Sequence, residues 1–138
     1  MNTSDKWRMD KSYPYEPEKE VKSMKTSNLF GQQKVETAPQ IYTAGFTGDN
    51  LMVTHLIFEA GAVGTLHAHP HEQMTVILRG EMEFTLGDER KVLKAGDVLA
   101  IPSNVTHGVV ALTETELLDI FTPVRTDLAE KLGLWVVI

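Results

Sequence analysis

Residues 61–80 read GAVGTLHAHPHEQMTVILRG, and residues 96–107 read GDVLAIPSNVTH. Three of the chain's five histidines stand in the first stretch, and a fourth closes the second. His67 and His69 are two positions apart. On an extended chain their side chains leave the same face and can converge on one ion. Pro70 interrupts any strand there, so the chain can turn and present Gln73, with its amide oxygen, from the start of the next strand. His107 follows the loop PSNVT at the head of a strand of its own, and a ligand from a separate strand lets the fold, not one loop, hold a metal. A lone histidine is more often hydrogen-bonded or exposed than ligating. His55 and His71 are read that way, and His71 and Glu72 are placed on the bend, facing solvent or the partners of the ligands. For His67 and His69 the balance reverses, because two imidazoles on one buried face gain nothing comparable for their desolvation unless they bind a metal.

Outward from these stretches the chain reads as β structure. LMVTHLIFE (51–59) is apolar on both alternating sets, as in a strand buried on both faces, and ends at Gly61. Residues 74–79 form another apolar run closed by Gly80. In EMEFTL (81–86), Met82, Phe84 and Leu86 alternate with polar residues. Gly87–Asp88 and Gly96–Asp97 suit hairpin turns, VLAI (98–101) is a short strand, and ELLDIF (116–121) closes the series. Short strands broken by glycine or proline indicate an all-β sandwich or barrel. Residues 1–39 are polar, mixed in charge and without period, and are read as an N-terminal arm; its run EPEKEVKSMK (16–25) is read as a solvated face. The barrel is expected over residues 40–125, followed by a C-terminal extension, 126–138. In that extension TDLAEKLGLWVVI suits one or two helical turns, with Asp127 as N-cap, Glu130 at the third helical position and Gly133 at the end.

Composition bounds the function. A chain of 138 residues, 42% hydrophobic, supports one domain with one core. With no cysteine there is neither a disulfide nor a thiolate cage, so a metal must take nitrogen and oxygen ligands. No apolar run approaches the roughly 20 residues of a membrane span, and the first residues lack a secretory layout. A cytoplasmic protein with no membrane partner is expected. The net charge of −6 argues against nucleic acid. An anionic small molecule stays open.

The spacing of the two opening stretches is specific. The first has glycine, five residues, HxH, three residues, an oxygen ligand, six residues and glycine; the second has glycine, five residues, proline and a histidine five further on. This resembles the two motifs of the cupin superfamily over about residues 45–122. The resemblance implies a single-domain double-stranded β-helix, or jelly-roll, barrel with one divalent metal ion held by His67, His69, Gln73 and His107. Glutamine stands where many cupins place glutamate, Asn104 where the second motif often has glycine, and Ala111 where it usually ends in asparagine. Three imidazoles and an amide are neutral, so the ion keeps its double charge and favours an anionic or chelating oxygen substrate. Four protein ligands also leave open positions on a five- or six-coordinate ion. Zinc, nickel, iron and manganese all accept this set.

LLDIFTPVRTDL (117–128) carries a second constellation. An aspartate within LLDIF is costly unless paired or functional. Either Asp119 pairs with Arg125 and fastens the strand end, or Arg125 binds a substrate carboxylate through its planar fork and Asp119 carries a proton. Phe121, on the same strand face as Asp119, is either a wall for a sugar ring or plain core. HAHPHEQ, GEMEFTLGDE, AGDVLAIPSNVTHGVVAL and LLDIFTPVRTDL together resemble the KdgF-like pectin-degradation cupins. That resemblance implies conversion of 4,5-unsaturated uronate monosaccharides, from pectin or alginate lyases, to the linear 4-deoxy-5-keto-uronate. In it Asp119 and Arg125 are catalytic, and Phe121 and Arg125 bind the small anionic sugar. The alternatives are a cupin dioxygenase acting on a chelating diketone-like substrate and a non-enzymatic sugar-binding cupin. The family suggests a homodimer, and LWVVI (134–138) is either a contact in it or a strand covering the barrel.

Overall fold

Alternation along the strands decides which side chains meet. In the computed structural model, which describes residues 24–134, a 3-10 turn at Leu29–Gly31 leads into the β structure. The strands are β1 (Val35–Ala38), β2 (Ile41–Thr47), β3 (Met52–Phe58), β4 (Val63–His67), β5 (Glu72–Arg79), β6 (Glu81–Leu86), β7 (Glu89–Lys94), β8 (Val98–Ile101), β9 (His107–Ala111) and β10 (Thr115–Thr122). Helix α1 (Thr126–Lys131) follows. Two antiparallel sheets face one another, one ordered β1-β2-β3-β10-β5-β8 and the other β4-β9-β6-β7. From β3 to β6, and again from β7 to β10, each strand lies in the sheet opposite its predecessor. This is the all-β, single-domain jelly-roll expected.

Inward-facing residues of both sheets make the core. Ile41, Phe58 and Leu117 from one sheet meet Met82, Phe84 and Leu93 from the other. Each such side chain, fully buried, contributes roughly 1.5–3 kcal/mol. A smaller cluster of Met52, Phe121, Val124 and Ala129 seals the end under α1. The chain can cross between sheets after β5 because Gly80 has φ +90°, where a Cβ would collide with the Glu114 carbonyl oxygen and stand 2.9 Å from Thr115 Cα. Asn104, at the motif position where glycine is common, has φ +65°, and asparagine is among the few side chains that tolerate that region.

Several expectations need correction. Gly87–Asp88 does join the hairpin of β6 and β7, but Gly96–Asp97 carries the chain from one sheet to the other and is no hairpin. Asp127 is not the N-cap. That position is Arg125, without a side-chain cap, and the Asp127 carboxylate is engaged by the Arg125 guanidinium instead. Gly133 does end the helix, at φ +69°: its N–H and that of Leu134 close on the carbonyls of Glu130 and Ala129. Val35–Ala38 forms an edge strand that its sequence did not announce. Residues 1–23, with most of the 16–25 charge run, and 135–138, with most of LWVVI, lie outside the described residues. No described helix is long and apolar enough to cross a membrane.

The outer face of the six-stranded sheet carries an apolar patch. Met74, Leu78 and Val98 are exposed there, beside half-buried Val53, Leu118 and Ile120. The segment before β1 covers its β2–β3 side. Phe30 packs edge-on against the His55 ring at 4.6 Å, and Lys25 lies over Phe46. His55 is buried, and its Nε2 meets Glu116 at 2.8 Å, so it is the hydrogen-bonded histidine the sequence suggested.

Candidate metal centre and cavity

Three of the expected ligands converge. One ring nitrogen from each of His67, His69 and His107 lies within 4.8 Å of the others. His67 ends β4 and His107 begins β9, and the two are cross-strand partners. His69 lies beyond β4, in the loop, so a shared strand face does not explain its aim. Its Nδ1 donates to the His71 carbonyl at 3.0 Å, and that bond turns the ring inward. His67 Nδ1 donates to the Thr65 carbonyl and His107 Nδ1 to the Val105 carbonyl, each at 2.8 Å. A carbonyl only accepts, so the hydrogen of each neutral ring sits on Nδ1 and the lone pair on Nε2. Burial, before all other causes, lowers the pKa of His69 and His107; the Arg125 charge pushes the same way, and the hydrogen bonds of the rings only partly offset it. Both rings are therefore neutral at neutral pH, as ligation requires.

Gln73 is the second residue of β5 and is buried. Its Nε2 donates to Thr75 Oγ1 at 3.1 Å and to Asp119 Oδ1 at 3.0 Å, while its Oε1 faces His69 Nε2 at 3.0 Å. Two lone pairs pointed at one another at that distance repel unless a cation lies near them. His107 Nε2 is buried with no hydrogen-bond partner. These two observations fit a divalent ion: three imidazole nitrogens and an amide oxygen present unshared electron pairs to one region. His71 is half-buried, with its ring 5.4 Å from that of His69, and Glu72 is exposed.

Beside the imidazoles a cavity of about 440 Å³ opens between the sheets. His67, Gln73, His107, Asp119, Phe121 and Arg125 line its polar end, and Phe58, Phe84 and Leu117 its apolar end. Thr54 on β3, Asp119 on β10 and Thr75 on β5 are directly opposite one another across three strands. Burial raises the Asp119 carboxyl from 3.8 to about 6, although hydrogen bonds from Thr75 and Gln73 and the charge of Arg125 pull it back. The ion pair of Asp119 with Arg125 that the sequence allowed is not formed. Arg125 instead bonds Asp127 at 2.9 Å, lies 5.3 Å from the Phe121 ring centroid and keeps its Nε buried without a partner.

Two parts of the wall were not foreseen. Thr37 and Pro39, in and just after β1, and Leu128 and Lys131 from α1 close one side, and Lys131 Nζ ties the two together by donating to the Thr37 carbonyl at 2.6 Å. Thr75 is the other: its alternation with Gln73 was legible, but a threonine in an apolar strand reads as ordinary β-branched packing.

Comparison with known proteins agrees with this fold. The cupin domain family matches residues 54–121. The pectin degradation protein KdgF of Dickeya dadantii (strain 3937) is 40% identical over 81 residues, which are 57% of this chain and 74% of that protein. Among solved structures, an RmlC-like cupin from Shewanella frigidimarina superposes with a TM-score of 0.72 at 31% identity, covering 77% of this chain and 96% of that one. KdgF from Halomonas sp. gives a TM-score of 0.68 at 32% identity, covering 70% and 93%.

Proposed function

The chain belongs to the cupin family, with KdgF among its relatives, and from that premise we propose that it opens the ring of 4,5-unsaturated uronate monosaccharides to the linear 4-deoxy-5-keto-uronate. The observation that carries this reading is the meeting of Asp119, Phe121 and Arg125 in one cavity with the imidazole cluster. A divalent ion held by His67, His69, Gln73 and His107 would supply Lewis acidity toward a substrate oxygen.

The chain's own residues account for the rest. The Arg125 guanidinium, already fixed against Phe121 and Asp127, holds the substrate carboxylate and orients the ring more than it alters the chemistry. Phe121 gives the sugar ring an apolar surface. Asp119, as carboxylate, takes the proton of the C1 hydroxyl; the C1–O5 bond breaks, C1 becomes an aldehyde and the ring oxygen remains on C5 as an enolate. As carboxylic acid, Asp119 returns that same proton to C4 as the enolate collapses to a ketone at C5. No atom is gained or lost. A carboxyl held at about 6 serves both directions near neutral pH. We propose further that the protein works as a homodimer, paired through the apolar patch on the outer face of its six-stranded sheet.

The test is to follow loss of the conjugated ultraviolet absorbance of lyase-generated monosaccharide with metal-loaded protein, with and without oxygen. Turnover above the spontaneous rate is expected under both conditions. Asp119→Asn should lower kcat about 10²–10⁴-fold, and Arg125→Ala should act mainly on KM. A rate equal to background, or one that needs oxygen, removes the proposal.

A further inference from the structure

We propose that Thr75 is a positioning residue of the metal centre: its hydroxyl, set between the Gln73 amide and the Asp119 carboxyl, holds that amide with its oxygen toward the imidazoles. The inference rests on the metal-binding part of the function proposed above and not on the sugar reaction.

Directionality carries the argument. An amide has one accepting end and one donating end, and Gln73 fits its pocket by shape equally well either way round. Thr75 is fully buried, so its single hydroxyl proton has only protein groups to meet. That proton goes to Asp119 Oδ1 at 2.5 Å, and the hydroxyl oxygen accepts from Gln73 Nε2 at 3.1 Å. Asp119 Oδ1 also accepts from Gln73 Nε2, at 3.0 Å, and with only 2.5 Å between the two acceptors the amide presents one hydrogen to both. The donating end of the amide is thereby engaged on the sheet side, and Oε1 is left facing His69 Nε2. In the reverse orientation the amide oxygen would face the Asp119 oxygen, while an N–H would occupy the His69 lone pair. One reversal would therefore cost the centre two of its four donors. Without the Thr75 hydroxyl, one of the two bonds that reject the reversal is gone.

The register explains why this residue and not a neighbour does the work. Asp119 is flanked across the strands by Thr75 on one side and Thr54 on the other, both fully buried. Thr54 Oγ1 donates only to the Asp119 main-chain carbonyl, at 3.3 Å, and does not touch the amide. Thr54 is thus a built-in control of the same residue type, burial and row.

The experiment uses the full chain stripped of metal, titrated with Zn²⁺ by calorimetry against a competing chelator, and with Co²⁺ to read the visible ligand-field bands. Thr75→Val should weaken Zn²⁺ binding about 10–100-fold and alter the Co²⁺ spectrum, and Thr75→Ser should restore both. Thr54→Val should stay within about 3-fold of the unaltered protein. Circular dichroism checks that each variant is folded, and Thr75→Ala serves in place of valine if that variant is not. Equal affinity in the valine or alanine variant, or an equal loss in Thr54→Val, overturns the role of Thr75. Absence of Zn²⁺ binding by the unaltered protein overturns the metal reading with it. Failure of sugar turnover with the Thr75 pattern intact overturns the reaction alone.

Discussion

Asp119 shows how a single position carries a cost that folding alone does not require. Its carboxyl is held near 6 against an ordinary 3.8 because burial disfavours the charged form. The folded chain therefore holds this proton more tightly than the unfolded chain. The stability contributed is complete below about pH 4 and is lost as pH rises through about 6, a change on the order of 3 kcal/mol. In metal-free protein, Asp119→Asn should gain on the unaltered chain by an amount of that order between pH 4 and pH 7.5, read from urea unfolding at both values; a constant difference would contradict the burial account. The sequence marked Asp119 because a charge within LLDIF stands out. It gave no comparable sign of Thr75, since what sets that residue apart is a cross-strand partner, and partners 44 positions away are not visible in a local pattern.

At the scale of elements, strands with one apolar face were legible, as was the apolar edge strand β8, while the edge strands β1 and β7 were not. In β7, ERKVLK, only Leu93 is buried, so five of its six residues are free to be charged or exposed and the alternation disappears. β1 is exposed on half its length and follows a polar stretch. Turns were read as hairpins because a hairpin is the commonest short connection; whether a turn instead crosses between sheets depends on which strand waits on the other side. Gly80 makes such a crossing, and Gly80→Ala should lose at least about 2–3 kcal/mol in urea unfolding, from the forced left-handed backbone and the collision with the Glu114 carbonyl. A loss under about 1 kcal/mol would show that the crossing relaxes.

Across the whole molecule, the two sheets differ in what they leave uncovered. The six-stranded sheet turns Met74, Leu78 and Val98 outward beside Leu118 and Ile120, and an isologous pairing needs only such a charge-free patch to match itself. The double variant Met74→Glu, Val98→Glu should convert the proposed dimer to monomer in light scattering while the Zn²⁺ affinity stays put, since the centre lies on the opposite side of the sheet. Dimers that survive both charges would place the contact elsewhere. The cavity wall supplied by β1 and α1 was hidden for a related reason: it is made by segments close to the two ends of the described chain, which only the closed fold brings together.

The switching of successive strands between sheets has a consequence for the order of events during folding. His67 and His107 come from one sheet, Gln73 from the other, and His69 from the loop between them. No local segment can present the full set, so the ion finds its seat only after distant strands have paired, a slow step in folds dominated by non-local contacts. Metal should therefore leave the refolding rate nearly untouched and act by retarding unfolding, as a latch fitted to a door already shut.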